Sequence, residues 1–124
     1  MQVGQIYHGT ESYGGSYHDL GLYRVVKLGK KFASLKQIES KKLEEPVKQS
    51  SCLDSSYQCK KQARLPIKPI PDTTNQLVSF VDFNEEDNCA IVANGGAQCS
   101  KKFELVNADE HGNYCFLASA QHYY

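Results

Sequence analysis

Four short apolar runs crowd the second half of this 124-residue chain, and they constrain the fold more than any other feature. They are QLVSFVDF (76–83), CAIVA (89–93), CSKKFELV (99–106) and YCFLASA (114–120). Each has the length and the β-branched or aromatic content of a strand. NEEDN, NGGAQ and ADEHGN separate them, with the Asn, Asp and Gly that turns use. Short connections favour antiparallel neighbours, so the pattern predicts a four-stranded meander that needs a cover on one face.

The first half supplies that cover. Residues 1–8 and LYRVVKL (22–28) read as two more strands, with GTESYGGSYHDLG (9–21) between them as a glycine-rich loop. SLKQIESKKLEEP (34–46) predicts one short helix: Ser34 and Gln37 form a capping box, Leu35 and Ile38 stand three apart, and Pro46 limits the far end. KQSSCLDSSYQCKKQ (48–62) has too few apolar residues for a core element and reads as a surface segment. RLPIKPIPD (64–72) alternates proline with apolar residues and should run extended, at a sheet edge or as a connector. The expected fold is β-rich, all-β to α+β. It is a single domain over residues 1–124, one antiparallel sheet or a small barrel or sandwich with one short helix.

Five cysteines, at 52, 59, 89, 99 and 115, contain no CxxC pair, so zinc-ribbon and thioredoxin-like arrangements fail on spacing. Two bridges and one odd thiol is the preferred arrangement, with about 15 pairings open. Cys52–Cys59 would close a local loop, Cys89–Cys99 would span the NGG hairpin through a bulge or diagonal contact, and Cys115 would stay free. Such bridges imply an oxidising compartment, so a secreted domain with Met1 as an added initiator is expected; five reduced thiols would make it cytoplasmic. No apolar run approaches the ~20 residues of a membrane span, and no membrane partner is expected.

Net charge is zero but unevenly spread. Residues 24–68 hold twelve Lys/Arg against four acids, whereas residues 72–124 hold two lysines against eight acids. The halves are expected to pack with complementary charge, leaving open an anion-binding face on the basic segment. No basic block is interleaved with aromatics and the pI is about 6.9, so nucleic acid is not an expected partner.

YHGT (7–10) resembles the motif of ADP-ribosyltransferases of the His-Tyr-Glu type. That resemblance implies His8 and Thr10 beside the nicotinamide ribose of NAD. The family continues with an apolar helix, whereas Tyr13, Gly14, Gly15, Ser16 and Tyr17 follow here. NYCFLASAQHYY leaves no length for the family's glutamate strand, so no cofactor is expected. His8, His18, His111 and His122 lack HxH, HxxxH or HExxH spacing, so no metal site is expected. DFNEEDN (82–88) lacks the central glycine and distal glutamate of a calcium loop and reads as a polar turn. Acid–base chemistry of a ribonuclease-like kind would draw on His8, Glu110 and His111.

Eight tyrosines without a tryptophan point elsewhere. Tyrosine beside Ser, Gly and His is the composition of binding loops, where a large rigid ring adds contact area at low entropic cost. Tyr7, Tyr23 and Tyr114 alternate within strands and are expected in the core or on a sheet face. The expected binding residues are Tyr13, Tyr17, His18, Gln121, His122 and Tyr123. Size, cysteine number and β content make the chain similar to small secreted cysteine-containing proteins, including effector-like proteins of plant-colonising fungi. That similarity implies a monomeric, non-catalytic virulence-type protein binding a partner protein or, as the lesser expectation, a glycan. A ribonuclease-like or degenerate nuclease domain and an intracellular regulatory β domain are the alternatives.

Overall fold

The antiparallel strands β1 (Ile6–Tyr13) and β2 (Ser16–Leu28) pair along their length, so Gly9–Tyr13 and Ser16–Gly21, expected in a loop, are strand. The structure, a computed structural model, describes residues 1–13, 16–42, 47–50, 54–64, 67–93 and 99–123. The remaining strands are β3 (Phe32–Ile38), β4 (Lys41–Lys42), β5 (Val47–Ser50), β6 (Asp54–Arg64), β7 (Gln76–Ser79), β8 (Phe83–Asn84), β9 (Cys89–Ala93), β10 (Cys99–Val106) and β11 (Asn113–Tyr123). The one helical element among the described residues is a 3-10 turn at Phe80–Asp82. The β-rich expectation therefore holds at its all-β end.

Every pairing is antiparallel, and the sheet curls into a nearly closed, barrel-like form. Around it run β9, β10, β1, β2, β3 and β7, with β7 returning beside β9. The meander expectation survives only for β8, β9 and β10. Beyond it, β10 pairs with β1, β7 with β3, and β11 with β6 along its whole length. β2 is long enough to change partners on one edge. It pairs with β11 at Tyr17 and with β3 from Leu22 onward.

Two apolar cores follow from this bend. Tyr7, Val25, Ala33, Leu35, Val78, Ala90 and Phe103 fill the barrel interior. Ile6, Leu22, Ile38, Ala63, Phe116 and Ala118 form a second core where β6 and β11 cover the outside of β1–β3. Alternation does the sorting: Ile6 and Tyr7 are neighbours in sequence but serve opposite faces.

The predicted helix at 34–46 is corrected by the same rule. Residues 32–38 are β3, and Lys41–Lys42 are β4. Leu35 faces the interior and Ile38 the outer core, so their three-residue spacing reflects a strand apolar on both sides. In the polar segment, residues 48–50 and 54–62 are likewise strand, in β5 and β6, because β11 hydrogen-bonds along β6 and needs no apolar face to do so. Residues 67–70 are extended, as expected: Pro69 bridges Ile38, and Ile70 N–H donates to the Gln37 carbonyl.

The Cys89–Cys99 bridge is not formed. Cys89 is a free thiol paired in register with Glu104, while Cys99 opens β10 five residues earlier. At ~3.3 Å per residue the two lie roughly 16 Å apart, well beyond disulfide reach. Cys115 is a free, exposed thiol. Cys59 pairs in register with Ala118, and Cys52 lies outside the described residues.

Candidate functional site

A bulge in β2 creates the most unusual chemistry in the molecule. Gly9 pairs with Gly21 but Thr10 pairs with Asp19, so Leu20 is the extra residue. An extra residue inverts the alternation beyond it, which moves Asp19 from the barrel-interior face to the covered outer face occupied by His8. Gly21 has φ +89°, a left-handed conformation that glycine adopts without steric cost. Its N–H donates to Asp19 Oδ1 at 2.9 Å, fixing the carboxylate over the bulge.

Two more partners meet that carboxylate. His8 Nε2 lies 2.6 Å from Asp19 Oδ1, and Lys61 Nζ lies 3.0 Å from Oδ2. An ionised carboxylate only accepts, so His8 carries its proton on Nε2. The Asp19 side chain is 2% exposed. Burial pushes its carboxyl up. The hydrogen bonds from His8, Lys61 and Gly21, with the Lys61 charge, outweigh burial and hold it below its ordinary value. The His8 ring packs on Phe116 with centroids 4.4 Å apart. Three strands, β1, β2 and β6, are thereby tied at one buried point. Nothing in the sequence marks Asp19, Lys61 or Phe116 as partners; only the Asp-x-Gly spacing at 19–21 hints at the bulge.

Of the residues of the ribonuclease-like alternative, His8 lies in β1, whereas Glu110 and His111 lie between β10 and β11. Glu110 and His111 pair with each other at 3.3 Å in the turn between β10 and β11, where His111 is 69% exposed. That turn is organised by Asp109, whose Oδ1 accepts from the N–H groups of His111 and Asn113. Among the described residues, no contact links these groups to His8, and no three of His, Cys, Asp and Glu gather as a metal site.

The expected recognition residues are brought closer together than the sequence implied. Tyr17 of β2 pairs with Ser12 of β1 on one side and with Gln121 of β11 on the other. Tyr13 pairs with Ser16 and Cys99, so β10 also begins at this end. His122 and Tyr123 continue β11 opposite Ser55 and Asp54 of β6. Tyr17 is 36% exposed, and His18 is half-buried opposite Glu11. Residues 14, 15 and 124 lie outside the described chain.

Beside the buried trio, a cavity of about 420 Å³ is bounded by Gln37, Ser40, Lys61 and Ile70. Glu39 and Ser40 also border a second cavity, about 360 Å³, whose cations are Lys41, Arg64 and Lys68. Ion pairs between residues whose side chains are described include His8–Asp19, Lys61–Asp19, Lys102–Glu104 and His111–Glu110. None of these four joins a base of residues 24–68 to an acid of 72–124. Comparisons by family model, by sequence against curated proteins and by structure against solved folds found no match to this chain.

Proposed function

We propose that the chain is a non-catalytic recognition domain that binds a partner protein at the end where the tips of β1 and β2 adjoin the end of β11. The observation carrying this reading is the pairing of Tyr17 with Gln121, which makes neighbours of two segments about a hundred residues apart. A contiguous strand pair holds Tyr17 and Gln121 at fixed spacing, so little ordering entropy is lost on binding. The buried trio supports a non-catalytic reading. Both Asp19 oxygens are engaged and His8 is packed under Phe116, which suits an element that locks strands together. Secretion belongs to the same proposal and rests on the oxidation of Cys52, Cys59 or Cys99.

The test compares wild type with a Tyr17→Ala/Gln121→Ala variant, both immobilised and exposed to the same mixture of extracellular proteins. Matching circular dichroism would establish that the variant folds. A protein retained by wild type and reduced about tenfold on the variant supports the reading, since one such contact pair contributes about 1.4 kcal/mol. Equal retention of every bound protein rejects it.

A further inference from the structure

We propose that the cavity bordered by Lys41, Arg64 and Lys68 is a binding site for the phosphate of a small sugar phosphate, with the sugar reaching into the adjoining cavity. The site is independent of the tyrosine-bearing end. Lys41 comes from β4, Arg64 from β6 and Lys68 from the extended segment that runs beside the end of β3. Backbone pairing fixes all three: Lys41 is opposite Gln62, Arg64 is opposite Asn113, and the Lys68 carbonyl accepts from Glu39 N–H at 2.9 Å. None of the three makes an ion pair among the described residues. Lys61, by contrast, is held by Asp19.

Among the described residues lining this concavity of about 360 Å³, three cations stand against the one carboxylate of Glu39, a local excess of positive charge. Concave walls focus such a field on an anion, and a guanidinium adds the paired donors that suit phosphate oxygens. The ligand is more than phosphate because of what the two cavities share. Glu39 and Ser40 border both, and the second adds the Gln37 amide and the apolar Ile70 side chain. A carboxylate would repel a second phosphate but accepts from hydroxyl groups, and an amide and a serine hydroxyl extend that set. Each volume falls within the ~300–1,000 Å³ typical of small-ligand pockets. Phosphate on the cations and polyol on Glu39, Ser40 and Gln37 is the arrangement these groups fit.

Titration of the 124-residue chain with glucose 6-phosphate, uridine 5′-monophosphate and inorganic phosphate, followed by amide NMR shifts, tests the assignment. Saturable shifts at Ser40, Lys41, Arg64 and Lys68 are expected, with at least one sugar phosphate tighter than inorganic phosphate by about tenfold. The two organic probes separate a free sugar phosphate from a nucleotide as the source. Arg64→Gln and Lys68→Gln are exposed positions whose replacement should leave folding intact; each should weaken binding about tenfold, whereas Arg64→Lys should weaken it less. Absence of saturable shifts, unchanged affinity in the Gln variants, or inorganic phosphate bound as tightly as both organic probes would overturn the proposal.

Discussion

Asp19 is a residue whose meaning depends on one inserted neighbour. Without Leu20 as the extra residue it would face the barrel interior, among Tyr7, Val25 and Phe103. With it, the carboxylate meets His8, Lys61 and the Gly21 N–H. Asp19→Asn leaves these three donors facing a neutral amide in a nearly buried site, and should cost about 2–3 kcal/mol in urea unfolding at pH 7. A loss under about 0.5 kcal/mol would mean that the trio is not an anchor. The pH dependence follows from the sign of the shift. A folded-state carboxyl held below its ordinary value of 3.8 adds stability that is fully present above that value and is lost as pH falls through the folded value. Below pH 3.8 the wild type should therefore lose stability more steeply than Asp19→Asn, and parallel pH curves would contradict the assignment.

At the scale of elements, β3 is the instructive case. Leu35 and Ile38 look like one helical stripe, yet they fill separate cores on opposite faces of a strand. Leu35→Ala and Ile38→Ala should each cost about 2–5 kcal/mol, and the double variant should cost their sum within about 0.5 kcal/mol. Coupling well beyond that, read by denaturant titration, would place them in one core. The apolar runs at 89–93 and 99–106 were legible because their turns and alternation agree. β6 was not, because its stability comes from backbone pairing with β11, and Ser, Gln and Lys advertise no buried face. The candidate site was half-legible. Tyr17 and Gln121 stood out by composition, but nothing local in the sequence announces a pairing across a hundred residues. The Asp19 trio was illegible for the related reason that register, not residue type, creates it.

For the whole molecule, the barrel sets Cys89 opposite Glu104 and Cys99 at the start of β10, away from the Cys89–Cys99 pairing that spacing favoured. Cys89 and Cys115 are free thiols. The other three can form at most one internal bridge, so alkylation of the denatured, unreduced protein should add three adducts or five by intact mass. Three would support the extracellular setting in the proposed function, and five would remove it. One adduct would contradict the strand register around Cys89. The functional claim depends on a larger feature, the joining of the hairpin tip to the end of β11. The most direct measurement is an interstrand backbone nuclear Overhauser effect between Tyr17 and Gln121. The structure predicts a strong effect there, alongside the Cys59–Ala118 effect expected from β6–β11 pairing. Loss of the Tyr17–Gln121 effect while Cys59–Ala118 persists would split the surface in two and contradict the proposed function.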